Sequence, residues 1–172
     1  SYGFLCEDFV RDKDAVSACA ILAEIAAWAK DQGITMYQLL QNIYVQYGFS
    51  KEKGISVVKK GKSGAEEIEA MMKHFRENPL QEIAGSKVTL FHDYASLKGK
   101  DYVENETLTL DMPTTSNVLQ YFTEDGTKVS IRPSGTEPKI KFYCEVHSKV
   151  KSLDELPAAE KAGAEKIEAI KA

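Results

Sequence analysis

The sequence predicts an α+β fold, in which two helices precede an antiparallel sheet of about four strands with two helices packed on one face. Three observations predict it. Apolar residues recur at helical spacing over residues 12–47, apolar and polar residues alternate in short runs between residues 87 and 147, and helical segments flank these runs. A sheet with one apolar face must bury that face, and helices before and after it in sequence are the natural cover.

The composition is that of a globular domain, and it excludes some classes of function. The chain has 172 residues, of which 43% are hydrophobic and 28% charged, so it can bury a core without disulfides. Its formal net charge is −4 and its pI about 5.5, which opposes binding of the whole chain to nucleic acid or to an anionic membrane. No run reaches the roughly 18 apolar residues of a membrane span.

Cysteines and histidines predict neither a disulfide framework nor a metal site. Cys6, Cys19 and Cys144 are an odd number at wide spacing, which favours a reducing compartment and predicts a cytoplasmic protein. The three histidines have no second ligand at metal-binding spacing. The sequence therefore predicts no metal ligands in this chain.

The first helix is predicted over residues 12–30 and is apolar nearly all round. Only Ser17 and Glu24 carry polar side chains between Ala15 and Ala29. Such a helix is buried on most sides, yet little else in this chain is near enough to bury it. Because the chain also lacks an initiator Met, the sequence predicts a piece of a longer protein whose upstream part covers this helix.

A second helix is predicted over residues 35–47, with Thr35 as its N-cap. The polar, turn-rich stretch Gly48–Gly54 follows it and predicts a domain boundary. The chain is therefore expected to divide into residues 1–50 and residues 51–172.

The second unit is predicted to contain a short strand, a helix, several strands and a final helix. The short strand lies near Ile55–Val58, and the helix covers Ser63–Arg76. The later strands are Lys87–Tyr94, Thr107–Asp111, Val118–Thr123, Lys128–Arg132 and Lys139–His147. The turn Glu124–Thr127 predicts a hairpin, and Ser152–Glu155 predicts a capping box that opens the last helix.

One segment carries candidate binding chemistry. The run Arg132–Lys139, between the last two strands, reads Arg-Pro-Ser-Gly-Thr-Glu-Pro-Lys. Gly135 lets successive backbone N–H groups converge on one centre, and Ser134 and Thr136 add hydroxyl donors. Arg132 offers a planar fork suited to two phosphate oxygens. The segment therefore predicts a phosphate site, and an ordinary solvated turn is the alternative.

The local charge supports the phosphate site. Residues 127–151 contain six Lys or Arg against two acidic residues, a net charge of +4 in a chain whose total is −4. Lys139 and Lys141 share one face of the predicted last strand, so either can add a second cation. Binding of RNA by this basic face is disfavoured, because Tyr143 alone is thin support for base stacking.

The run Arg132–Lys139, with Phe142-Tyr143 after it, resembles the phosphate-binding loop of the α-D-phosphohexomutases, the family of phosphoglucomutases and phosphomannomutases. A second match supports it, because Ser1–Phe4 followed by Phe9–Asp14 resembles the end of the family's sugar-binding loop and the start of the next helix. The resemblance covers the whole chain and is closest to the bacterial branch. It implies that residues 1–50 are the tail of the family's α/β third domain and residues 51–172 its TBP-like fourth domain.

The resemblance implies a reaction for the parent protein. A phosphoserine gives its phosphoryl group to a glucose or mannose phosphate, and a hexose 1,6-bisphosphate forms. The bisphosphate then reverses its orientation, and its other phosphoryl group returns to the serine, with Mg²⁺ at the transferring phosphate. The bisphosphate is thus both intermediate and activator. The family's phosphoserine motif and its Asp-x-Asp-x-Asp magnesium loop do not occur in this sequence. The chain is therefore expected to hold no catalytic residue and no metal ligand, and to be inactive without the missing upstream domains.

The resemblance also implies which residues bind substrate. The phosphate clamp comprises Arg132, Ser134, Gly135 and Thr136, with Lys141 and Lys139 competing to join it. The residues that face the sugar are Ser1, Gly3 and Lys13. The alternatives are phosphopentomutase specificity within the same family, and a non-catalytic module that binds anions or another protein.

Overall fold

The computed structural model describes residues 3–5, 12–59 and 61–172, with every side chain in these ranges except that of Lys62. The described residues form four α-helices and eight strands. The helices are α1 (Ala15–Asp31), α2 (Met36–Tyr47), α3 (Gly61–Glu77) and α4 (Leu156–Lys171). The strands are β1 (Phe49–Val58), β2 (Glu82–Ile83), β3 (Ser86–Asp93), β4 (Lys98–Asp101), β5 (Glu106–Thr109), β6 (Leu119–Thr123), β7 (Lys128–Pro133) and β8 (Lys139–Ser148).

The strands make one antiparallel sheet in the order β1-β8-β7-β6-β3-β4-β5, with β2 paired to β3 off this path. Strand β8 pairs along its whole length with β1, from Phe49 opposite Ser148 to Val58 opposite Lys139. On its other side it pairs with β7, which places Arg132 opposite Lys141. The hairpin between β6 and β7 turns at Gly126, whose φ of 82° suits glycine, as the sequence predicted.

Helices α3 and α4 cover the same face of the sheet. Ile68 and Met72 of α3 pack into a buried cluster with sheet residues such as Ile131 and Ile140, and Ile170 of α4 borders that cluster. A hydrogen bond also joins α3 to the sheet, since the buried Tyr121 donates from its hydroxyl to the carbonyl of Phe75 at 2.8 Å. The α+β class and an antiparallel sheet with helices on one face are therefore confirmed. We call the other face of β1, β8, β7 and β6 the open face.

The first two helices carry apolar side chains that the described residues leave exposed. In α1, Val16 is 80% and Trp28 52% exposed, and in α2 Tyr47 is 69% exposed. Contact with the rest of the chain is made chiefly by Tyr44, whose ring packs edge-on against Phe49 at 5.1 Å between ring centres. No described helix is both long and apolar enough to cross a membrane.

Helix α1 begins at Ala15 rather than at residue 12, and α2 begins directly after Thr35, as predicted. Asp14 caps α1, because its carboxylate accepts from the N–H groups of Val16 and Ser17. Thr35 caps α2, and Gln38 completes a capping box with it.

The predicted turn at Gly48–Gly54 is wrong, because these residues, apart from Gly48, lie in β1. The run Ser50–Lys53 is polar because β1 pairs only with β8 in the described sheet, and charged side chains on an edge strand oppose pairing with another chain. The predicted count of about four strands is too low, because a strand such as β4, which reads Lys-Gly-Lys-Asp, lacks the apolar alternation that marks a strand in the sequence. The division into residues 1–50 and 51–172 stays a prediction, with β1 running across it.

The predicted capping box at the last helix is also wrong. Ser152 makes no side-chain cap, and Leu153–Glu155 forms a short 3-10 turn before α4. The Glu155 carboxylate instead accepts from the backbone N–H of Lys151 at 2.8 Å. Leu156, Gly163 and Ile167 of α4 are buried.

One ion pair ties α4 to the β6–β7 hairpin. Lys166 Nζ lies 2.7 Å from Asp125 Oδ2, and it also donates to the carbonyl of Ala84 at 2.9 Å. Burial raises the pKa of Asp125, but hydrogen bonds from Lys166, Thr123 and Thr127 outweigh burial and hold that pKa well below its usual range. The charged form of Asp125 therefore stabilises the fold.

Asp125→Asn is expected to lower the free energy of unfolding near neutral pH by about 0.5–1 kcal/mol, the upper range for a partly exposed pair. Because the pKa of Asp125 is lower in the folded state, this stabilisation is present above the unfolded pKa of about 4 and is lost as the pH falls below it. Thermal unfolding between about pH 7 and pH 3 measures it, with Asp111→Asn, an exposed residue, as control. A difference from wild type that stays constant with pH would contradict the assignment.

Candidate functional site

The segment between β7 and β8 is a loop fixed by backbone hydrogen bonds. The N–H of Ser134 donates to the carbonyl of Lys139 at 2.8 Å and closes the base of the loop. The N–H of Lys59, just after β1, donates to the carbonyl of Pro138 at 2.9 Å. The tip at Gly135 and Thr136 is exposed. The loop is therefore anchored at its base and on one side, while its tip is free to contact a ligand.

The loop tip carries backbone N–H groups that can donate hydrogen bonds to a ligand. The backbone N–H groups of Gly135 and Glu137 make no hydrogen bond to another described residue, and that of Thr136 reaches only the Ser134 hydroxyl, at 3.5 Å. A separation of 3.5 Å is at the limit for a hydrogen bond. Three successive N–H groups are thus weakly engaged or open to an anion.

Two cations face each other beside the loop. Arg132 and Lys141 are directly opposite in the β7–β8 register, so their side chains lie on the same face of the sheet, the open face. Neither side chain forms an ion pair with a described residue. Like charges at opposite positions repel, and an anion bound between them would remove that repulsion.

Lys139 has a different environment from Lys141. Its ammonium forms an ion pair with the Glu137 carboxylate, and its side chain is only 24% exposed. Hydrogen bonding to Lys139 lowers the pKa of Glu137. Lys139 is thus paired with the loop's own carboxylate, whereas Lys141 is attracted to Glu137 only at longer range and lies opposite Arg132.

The two sides of the loop differ in charge. Toward α3 the loop borders a cleft of about 540 Å³, which Gly61, Glu69 and Asn117 also line. Glu69 and Glu137 belong to the lining of this cleft, and the Glu137 carboxylate is paired with Lys139. The cations Arg132 and Lys141 lie on the opposite face of the sheet. Among the described residues, the two cations beside the loop that form no ion pair therefore both lie on the open face.

The residues predicted to face the sugar are only partly described. Ser1 lies outside the described residues. Gly3 has a φ of 113°, and a Cβ there would come within 2.3 Å of the Asp14 carbonyl oxygen, so glycine is required. The ammonium of Lys13 lies 2.9 Å from Asp12 Oδ1. Among described residues, no hydrogen bond or ion pair joins Gly3 or Lys13 to the loop between β7 and β8.

The residues described here do not fit a magnesium site. Across residues 3–5, 12–59 and 61–172, no three His, Cys, Asp or Glu side chains group as metal ligands would. Asp14 caps α1 and Asp12 pairs with Lys13, so neither is arranged to hold a cation.

Comparison with known proteins decides the family. The model of the phosphoglucomutase/phosphomannomutase C-terminal domain matches residues 56–163, which include the whole loop and both facing cations. This chain belongs to the phosphoglucomutase/phosphomannomutase family.

Curated relatives support the same family. Phosphoglucomutases of Staphylococcus aureus and Staphylococcus haemolyticus are 41% and 37% identical to this chain over 143 residues, which is 83% of the chain. The chain spans about a quarter of the length of these relatives, 26% in each case. A crystal structure of pp63/parafusin, a phosphoglucomutase from Paramecium in its open form, is 18% identical and aligns with a TM-score of 0.44 over 94% of this chain and 28% of that one.

Sequence reasoning missed several residues that lie around the loop. Glu69 and Asn117 line the α3 side of the loop, but they are distant from it in sequence and no local pattern marks them. Asn117 is held in place by Arg76, whose Nη2 donates to its Oδ1 at 2.8 Å. Ser130 could have been found, because alternation along β7 places it on the same face as Arg132.

The facing cations predict an effect on stability. Lys141→Gln is expected to raise the free energy of unfolding by about 0.2–1 kcal/mol at low salt, because it removes the repulsion with Arg132. The gain is expected to shrink above about 0.1 M salt, where exposed charges are screened. Denaturant unfolding at several salt concentrations measures it, with the exposed Lys149→Gln as control. A loss of stability at low salt would mean that Lys141 already has an attractive partner.

Proposed function

We propose that this chain is the phosphate clamp of a phosphoglucomutase or phosphomannomutase. The observation that carries the proposal is the pair Arg132 and Lys141, opposite each other on the open face and without an ion-pair partner among described residues. They flank a loop whose tip holds weakly engaged N–H groups. This arrangement suits a dianion better than a neutral ligand.

Each group of the clamp has a defined task. Arg132 donates two parallel hydrogen bonds to two phosphate oxygens, and Lys141 adds a point charge. Ser134 and Thr136 donate from their hydroxyls, while Gly135 allows the backbone to approach closely. Lys141 is the second cation, rather than Lys139, because Lys139 is engaged by Glu137.

The clamp holds the phosphate that is not being transferred. In the reaction we propose for the whole protein, a phosphoryl group moves between C1 and C6 of a hexose through a bisphosphate. One phosphate must therefore be bound firmly while the other reacts. A site with donors and cations but no general base binds phosphate without attacking it, and such positioning contributes several kcal/mol to catalysis.

The remaining parts of the activity are proposed for the whole protein. Ser1, Gly3 and Lys13 are the proposed contacts to the sugar, which is glucose or mannose phosphate. The chain spans about a quarter of its curated relatives, and its described residues do not fit magnesium, so no catalytic step is assigned to them. The cytoplasm is the proposed compartment.

An NMR amide titration tests the clamp. Glucose 1-phosphate and inorganic phosphate are expected to shift the amides of Ser134–Thr136 saturably, while free glucose is not. Arg132→Ala and Lys141→Ala are each expected to weaken binding about tenfold or more, since hydrogen bonds to charged groups contribute about 1.5–3 kcal/mol. Lys139→Ala is the matched control, because its ammonium faces Glu137.

The outcomes of this titration separate the alternatives. Equal losses for Lys139→Ala and Lys141→Ala would contradict the choice of Lys141. Saturable binding of ribose 5-phosphate with higher affinity than glucose 1-phosphate would favour a phosphopentomutase. An absence of shifts in a folded sample would contradict a clamp that works within this chain.

A second prediction concerns turnover. The 172-residue chain alone is expected not to interconvert glucose 1-phosphate and glucose 6-phosphate, even with Mg²⁺ and glucose 1,6-bisphosphate. Phosphorus NMR of an incubated mixture measures both sugar phosphates directly. Conversion that rises with chain concentration and disappears in Arg132→Ala would mean that this chain contains a catalytic group after all.

A further inference from the structure

A second cavity, of about 510 Å³, lies on the open face of the sheet. Its lining includes Gly54 of β1, Gln120 of β6, Ser130 of β7 and Tyr143 of β8. It exists because Gly54 stands opposite Tyr143 in the register and carries no side chain. A Cβ built at Gly54 would meet nothing within 4 Å. One side of the Tyr143 ring is therefore uncovered, and this side chain is 44% exposed.

Hydrogen bonds fix the polar groups of this cavity. The Tyr94 hydroxyl donates to Gln120 Oε1 at 2.8 Å, and Gln120 Nε2 donates to Ser130 Oγ at 3.0 Å. The Ser130 hydroxyl accepts in this chain, so its own hydrogen is free to donate. Lys128 and Glu145 form an ion pair at 2.5 Å that closes one end of the cavity. The cavity therefore offers an aromatic face beside pre-oriented hydroxyl, amide and carboxylate groups.

The cavity continues directly from the clamp. Ser130 and Tyr143 are opposite each other, and Arg132 and Lys141 are the next opposed pair on this face. Two residues along a strand span about 6.6–6.8 Å. A group attached to a phosphate between the two cations, if it extends along the strands, meets Tyr143 and Ser130 first.

We propose that Tyr143, Ser130 and Gln120 form a subsite for the sugar ring of the phosphate ester held by Arg132 and Lys141. A sugar ring has a face of C–H groups and a rim of hydroxyls. The C–H face packs on the aromatic ring of Tyr143, which has an apolar body and a polar tip. The hydroxyls pair with Ser130, Gln120 and the Lys128–Glu145 ion pair. The assignment rests on the proposed clamp and adds the recognition of the sugar by this chain.

The test compares two ligands that share the phosphate. Dissociation constants of glucose 1-phosphate and inorganic phosphate are measured by NMR titration of the 172-residue chain. Wild type is expected to prefer the sugar phosphate about threefold to tenfold, and Tyr143→Leu to lose that preference. Tyr143→Phe keeps the aromatic ring and is expected to retain most of the preference for the sugar phosphate. Tyr47→Leu, an exposed tyrosine of α2, is the matched control.

A second variant tests the cavity without changing its aromatic residue. Gly54→Val places a side chain beside Tyr143, where a Cβ has free space, and a β-branched residue suits a strand. The variant is expected to remain folded and to lose the preference for glucose 1-phosphate. Nuclear Overhauser contacts between the Tyr143 ring protons and the sugar protons are expected in wild type and not in this variant.

The outcomes distinguish this proposal from the clamp. Loss of inorganic phosphate binding in Arg132→Ala, with an unchanged sugar preference in both Tyr143→Leu and Gly54→Val, would overturn the sugar subsite and leave the clamp intact. Undiminished phosphate binding in Arg132→Ala would overturn the clamp itself. Equal affinity of wild type for both ligands would also overturn the subsite.

Discussion

The pairing of β8 with its two neighbours is the constraint on which both the core and the site depend. Strand β8 makes ten residue pairs with β1 and six with β7, and it contributes Ile140 and Cys144 to the buried core. The same register places Lys141 opposite Arg132. A shift of one residue would turn the apolar residues outward and the cations inward, and it would cost the core its packing. The hydrophobic core therefore fixes which basic residues face each other at the site.

Much of the fold could be predicted because its signals are local. The alternation along β8, the Gly126 turn and the Thr35 cap each depend on a few neighbouring residues, and the structure contains all three. The part of β1 at Ile55–Val58 was predicted as a short strand, but the polar run Ser50–Lys53 was not, since an edge strand is stabilised by its partner β8 and can carry charges. The capping box predicted at Ser152 does not form, because the Glu155 carboxylate accepts from the backbone N–H of Lys151 instead.

In the candidate site, too, local features could be predicted and features that depend on distant residues could not. The loop was predicted from its own residues and from its resemblance to the phosphohexomutases. The choice between Lys139 and Lys141 was left open, because it depends on the register with β7 and on the ion pair that engages Lys139. Neither feature appears in a sequence motif. Glu69, which lines the cleft on the α3 side of the loop, belongs to a helix far away in sequence.

In the proposed clamp, the position of Arg132 and Lys141 determines the side from which a phosphate approaches the loop. Both cations lie on the open face and attract an anion there. The repulsion between these two cations costs the unliganded chain some stability, and binding removes this cost, so part of the repulsion becomes affinity for a dianion. Because Gly54 leaves the adjoining surface uncovered, the ligand can extend along β7 and β8 without displacing a side chain. In the proposed complex, the cation pair and the glycine gap therefore favour the same bound orientation, with the phosphate at the loop and the rest of the molecule over the open face.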